Sequence, residues 1–147
     1  MCECDVIFEY LLKLDEDFKK QGIKKEVGII TGYRAQRDYL NRVLESRFHM
    51  AFSNITIEIN TVDAFQGRET DIIFYSVVRC NNEGDIGFLS DMRRLNVAFS
   101  RARQLLIIVG NHVAVTKRAT VYNNPNPFYE VVQYIYEHDE YCCLREV

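Results

Sequence analysis

The apolar and polar positions of the chain alternate between two periods. Residues 4–20 place Val6, Ile7, Tyr10, Leu11 and Leu14 at three- and four-residue spacings with charges between them, which predicts an amphipathic helix stopped by Gly22. The apolar run 27–31 (VGIIT) has the character of a buried strand. Over 34–47 the helical period returns through Tyr39, Leu40, Val43 and Leu44, and Ser53-Asn54 marks a turn. Residues 55–60 (ITIEIN) alternate β-branched with polar side chains, whereas 71–78 (DIIFYSVV) are almost continuously apolar, as strands covered on both faces are. A polar loop at 81–85 leads to a helix over 91–103, capped by Ser90 or Asp91 and striped by Met92, Leu95, Phe99 and Ala102. A further buried strand at 105–109 (LLIIV) ends at Gly110-Asn111. A short helix at 112–118, a break at NNPNP, an amphipathic helix at 128–138 and an edge strand at 141–147 complete the expectation.

Strands alternating with helices predict an α/β fold, a parallel sheet with helices on both faces, formed by residues 1–147 as one domain. In such sheets ligands bind beyond the carboxyl ends of the strands. That rule points to 31–37, 61–69 and the loop after Val78. The LLKLDED run at 11–17 imitates an apolar strand followed by a magnesium-binding Asp-Glu pair, but its period is helical.

Composition narrows the class. With 48% hydrophobic and 27% charged residues the chain resembles structured globular proteins and not disordered ones. No apolar run approaches a membrane span, and MCECDVIFEY lacks the basic start, apolar centre and cleavage site of a signal peptide, so a cytoplasmic address and no membrane partner are expected. Five cysteines, an odd number, are expected to be reduced thiols; neither Cys2 with Cys4 nor Cys142 with Cys143 has zinc-knuckle spacing, and no metal site is expected. The net charge of −3 speaks against a uniformly basic surface, yet residues 91–118 hold six basic side chains (Arg93, Arg94, Arg101, Arg103, Lys117, Arg118) against one acid.

The chemistry-bearing residues are few. None of the seven glycines is followed by lysine, so the chain has no phosphate-cradling P-loop. Histidines at 49, 112 and 138 are scattered, with no nucleophile elbow. Arginine remains. On a helix over 91–103, Arg94 and Arg101 are seven residues apart and share a face opposite the apolar stripe. Two readings of that face stand: a solvated basic surface, or an arginine finger that stabilises the charge of a transferring phosphoryl group.

The stretches IITGYRAQR (29–37), TVDAFQGRETD (61–71) and RRLNVAFSRAR (93–103) resemble motifs IV, V and VI of superfamily 1 helicases, in the branch that includes the nonsense-mediated-decay RNA helicase and its DNA-acting relatives. Order and spacing fit as well, and the resemblance covers about residues 5 to 140. Three linked motifs favour the second reading of the arginines. Gly32 stands where the family commonly has proline and Phe99 where it commonly has leucine; neither departure removes a charged group.

The resemblance implies a RecA-like domain, the P-loop NTPase fold without its own P-loop, acting as the second lobe of a two-lobed ATP-dependent motor. The N-terminal RecA-like lobe would supply the P-loop lysine and hold Mg2+. By motif position Arg37 and Arg101 are the expected catalytic arginines at the γ-phosphate of ATP. Gln36, Gln66, Gly67, Glu69 and Arg103 are the expected ATP-binding residues, with pairing to a nearby acid an equal role for Arg103. Thr31, Thr61, Ser76 and Arg79 are the expected contacts to single-stranded RNA or DNA, while Asp63, Phe65 and Asp71 are expected to be structural. Thr61 toward the strand and Gly67 and Glu69 toward the nucleotide would make one segment a coupling element. The implied function is helicase or translocase action, with an isolated lobe nearly inactive; the alternative is a non-catalytic RecA-like scaffold or binding domain in a larger assembly.

Overall fold

The computed structural model describes residues 2–48, 51–65 and 67–146. Its centre is a four-stranded parallel sheet of order β2-β1-β3-β4, built from β1 (Lys25–Thr31), β2 (Ile55–Thr61), β3 (Thr70–Ser76) and β4 (Ala102–Val109). The continuously apolar runs occupy the middle: β1 and β3 are buried along most of their length, whereas β2, with its alternating pattern, is an edge.

Helices cover both faces. On one lie α1 (Glu3–Gln21) and α2 (Arg34–Arg47), whose Ile7, Phe8, Leu11, Leu40 and Val43 pack on Val27, Ile29, Ile72 and Phe74. On the other, Leu95 and Ala98 of α3 (Met92–Phe99) and Phe128 of α5 (Pro127–Glu137) pack on Ile30, Ile73 and Tyr75. Strand residues that alternate in sequence feed the two cores in turn, as the pleat requires. Local chemistry sets the boundaries. Gly22, at φ 68, closes α1 in the left-handed conformation; Asp91 caps α3 through the Arg93 and Arg94 N–H groups; Asn126 caps α5 with Pro127 at its first turn.

The structure corrects three expectations. The helix expected over 91–103 stops at Phe99, because Thr70 N–H donates to the Arg101 carbonyl (3.0 Å) and Ala102 pairs with Thr70, so the sheet captures the backbone. Arg94 and Arg101 therefore share no helix face. Residues 141–146 form no strand, and the break around NNPNP contains a small antiparallel hairpin, β5 (Thr120–Val121) and β6 (Asn124–Pro125), turned by Tyr122 and Asn123 at positive φ. A short helix α4 (His112–Val115) precedes it.

The DED run has a structural occupation. Asp15, nearly buried, accepts from the N–H groups of Ser53 (3.0 Å), Asn54 (2.7 Å) and Ile55 (3.0 Å), and so fixes the entry to β2. All five cysteines are free, and burial pushes the Cys4 thiol up to about 11, which leaves it protonated and inert at neutral pH.

Candidate nucleotide and nucleic-acid site

Strands β2 and β3 are parallel and separated by β1, so residues 62–69 must climb from the carboxyl end of one to the amino end of the other across the sheet face. The described residues of this crossover form no helix. Phe65, fully buried, lies over Gly28 of β1: a Cβ at Gly28 would sit 2.6 Å from its Cζ and 2.7 Å from Ile73 Cδ1. The glycine thus makes room for the ring, and the ring pins the crossover. Thr61-Val-Asp-Ala-Phe and Gly-Arg-Glu consequently lie at opposite ends of the strands. The carboxyl-end rule therefore holds for Thr61 but not for Glu69, Arg101 and Arg103, which sit at the amino ends of β3 and β4.

At the carboxyl rim, Gly32, Arg34, Arg37, Thr61, Asp63 and Arg94 contribute to an open cleft of about 600 Å³. Arg37, on the first turn of α2, holds Asp38 through Nε (2.8 Å) and Nη2 (2.6 Å). Arg94 reaches Asp63 (3.4 Å) and Asp91 (3.7 Å). The expected structural roles of Phe65, Asp63 and Asp71 fit these contacts; Asp71 accepts from the Glu26 N–H (3.0 Å).

At the far end of the crossover, Arg101 is folded onto neutral acceptors. Its Nε donates to the Val97 carbonyl (3.0 Å), Nη1 to the Arg68 carbonyl (3.3 Å) and Nη2 to Ser100 Oγ (3.1 Å). Arg103 follows at a β-bulge, where β4 spends an extra residue between the Thr70 and Ile72 pairings, and approaches Glu69 (3.9 Å) and Glu26 (3.8 Å). Gly67 has φ +85 and nothing within 4 Å of where a Cβ would be, so its backbone is open to approach. Gln66 lies outside the described residues.

The three hydroxyls form a row, since Thr31 pairs with both Thr61 and Ser76 in the sheet register. Their exposures differ. Thr61 is half-buried and lines the cleft, but Thr31 and Ser76 are fully buried, with Thr31 Oγ1 accepting from Tyr33 N–H (3.3 Å). Ser76 donates to Glu3 Oε2 (2.6 Å) and accepts from Gln36 Nε2 (3.0 Å), while Glu3 Oε1 accepts the Val78 N–H (2.8 Å). Val78 has φ 70, a conformation strained for a β-branched residue. Burial pushes the Glu3 carboxyl above its usual value, against the opposing pull of the Ser76 and Val78 hydrogen bonds. Beyond Val78, Arg79 Nε donates to Tyr33 OH (2.9 Å).

A hydrogen-bonded path thus runs from Gln36, next to Arg37, through Ser76 and Glu3 to Val78 and Arg79. Motif reading missed Glu3 and also Phe88, which contributes to the same cleft. Glu3 stands 73 residues from its partner Ser76, and no local pattern signals such a pairing.

Residues 1–113 match the family model described as "AAA domain". Helicase sen1 of Schizosaccharomyces pombe is 44% identical over 107 residues, 70% of this chain and 6% of the relative. The Regulator of nonsense transcripts 1 homolog of Drosophila melanogaster is 46% identical over 125 residues, 80% of this chain and 10% of the relative. ATP-dependent helicase NAM7 of Saccharomyces cerevisiae is 42% identical over 107 residues, 71% and 11%. The chain spans about a tenth or less of the length of these relatives. A parallel sheet covered on both faces, the middle motif on the crossover with the other two on the β1–α2 and α3–β4 segments beside it, and these matches together make the chain a member of the AAA-domain family, a C-terminal RecA-like domain of the superfamily 1 helicases in their nonsense-mediated-decay branch.

Proposed function

We propose that the chain is the C-terminal motor lobe of an ATP-dependent helicase or translocase on single-stranded RNA or DNA, working against an N-terminal lobe that carries the P-loop. The observation that carries this reading is the state of Arg101. Among the described residues its half-buried guanidinium has no carboxylate partner, and its three hydrogen bonds go to neutral oxygens. Its charge stays uncompensated at the end of the segment that carries Gly67 and Glu69. A fixed planar cation of this kind suits the negative charge that grows on a transferring γ-phosphoryl group.

Arg37, which the motif position also assigns to the γ-phosphate, lies at the carboxyl rim, a β-strand's length away from Arg101 at the amino ends, so one phosphoryl group does not meet both. Arg37, occupied at rest by Asp38, instead faces the phosphates of the nucleic-acid strand. A pair this exposed is worth only about 0–1 kcal/mol, so phosphate can displace the carboxylate at little cost. Glu69 and Arg103, paired at 3.9 Å and largely exposed, are equally free to exchange partners, and the open backbone at Gly67 admits a nucleotide. Bound ATP supplies the phosphoryl group, with Mg2+ held mainly by the other lobe. On the nucleic-acid side, Thr61 and Arg79 make backbone contacts, whereas the buried Thr31 and Ser76 support them from behind. Gln36, Ser76 and Glu3 then link the Arg37 helix to the Arg79 loop, so that the groups gripping the strand move as one unit, while the crossover from Thr61 to Glu69 connects them to the nucleotide end.

The test is Arg101→Ala in the complete polypeptide, assayed for strand-stimulated ATP hydrolysis and for binding of a fluorescent nucleotide. Turnover should fall by about a thousandfold or more while nucleotide affinity changes only a few-fold. Unchanged turnover would sink the assignment. A wild-type protein that binds strands but hydrolyses nothing would instead favour the scaffold reading.

A further inference from the structure

The cleft rim carries an arginine–aromatic pair that phosphoryl chemistry does not use. Phe88 is 57% exposed although its turn, Gly87–Ser90, is firmly anchored by the buried Ile86 and Leu89. The Arg94 guanidinium lies over the Phe88 ring at 4.3 Å from its centroid and is itself held by Asp63 and Asp91. On the other side of the turn Arg79 packs where a Gly87 Cβ would fall (2.7 Å to Nη2) and lies over Tyr33 at 5.8 Å. The ring therefore projects by construction, on a turn clamped between two cations, at the cleft that Thr61 also lines.

We propose that Phe88, with Arg94 beneath it, is a stacking platform for a nucleobase of the single strand. This rests on the nucleic-acid reading above. An exposed aromatic face offers a base no edge to read, so it accepts every base, as a translocating grip must. The stacked guanidinium adds attraction for the base's π-face and keeps the ring from folding back. Arg34, exposed on the same cleft, and Arg79 provide positive charge for the flanking phosphates.

The experiment uses the complete polypeptide and two fluorescent decamers, oligouridine and an abasic strand with the same backbone. Phe88→Ala should weaken oligouridine about tenfold and leave the abasic strand unchanged, and Phe88→Trp should retain tight binding. Equal oligouridine affinity in Phe88→Ala and wild type overturns the platform. So does parallel weakening of both decamers, which makes the ring a mere prop for its turn, and so does a loss confined to fluorescent ATP, which makes it an adenine contact. If the wild-type protein binds neither decamer, the helicase reading itself fails, whatever the variants do.

Discussion

Gly28 decides where the crossover from β2 to β3 can lie, and Gly28→Ala measures how firmly. The added methyl would meet Phe65 Cζ at 2.6 Å and Ile73 Cδ1 at 2.7 Å. The isoleucine tip can rotate away, but the phenylalanine ring is fully enclosed and can only push the crossover outward. Overpacking of this kind costs about 1–3 kcal/mol. Loss of unfolded-chain entropy on replacing glycine returns about 0.4–1 kcal/mol, so a net loss centred on about 1.3 kcal/mol, and no more than about 2.6 kcal/mol, is expected. With a urea slope of about 2 kcal/mol/M the midpoint should fall by about 0.5–1 M. Adding Phe65→Leu removes the ring tip, so in that background Gly28→Ala should cost at least about 1 kcal/mol less, a coupling that a double-mutant cycle reads directly. A stabilised Gly28→Ala protein, or a coupling below about 0.5 kcal/mol, would refute the claim that the ring on the glycine holds the crossover in place.

Two further outcomes follow from carboxylates that accept backbone N–H groups, the buried Asp15 and the half-buried Glu3. Asp15→Ala strands three backbone N–H groups at the entry to β2 and should cost about 2–3 kcal/mol by urea denaturation, a loss below about 0.5 kcal/mol showing that the carboxylate is not what fixes that loop. Burial holds the folded pKa of Glu3 above the ordinary glutamate value, so between that value and the raised one the folded chain keeps a proton that the unfolded chain has released. Stability should therefore fall as pH rises through this window, and Glu3→Gln should flatten that slope; a steeper fall in the variant would mean that the ionised carboxylate is favoured in the fold.

The elements were largely legible because most are specified by local rules. The helical period over 34–47 needed no tertiary information, and neither did the uninterrupted apolar runs that became β1 and β3. Where the reading failed, a distant partner intervened. The stripe Met92, Leu95, Phe99, Ala102 continued past the true end of α3 because the sequence does not say that Thr70 will claim the Arg101 carbonyl. The hairpin at 120–125 was masked by a segment whose turn residues, Tyr122 and Asn123, include an aromatic in an unusual conformation.

Sequence by itself determined the class of sheet, the positions of its strands and the inventory of arginines, because burial patterns and permanent charge are properties of residue types and spacing. Only the tertiary structure decided which arginines stand together. Arg37 and Arg94 meet at one end of the crossover and Arg101 and Arg103 at the other, because a parallel connection past an intervening strand must cross the sheet, and Gly28 lets it cross close in. Tertiary structure likewise turned Thr31 and Ser76 inward, tied Glu3 to Val78, and left Phe88 in the open, since each outcome depends on which distant backbone groups and side chains arrive to fill the space beside it.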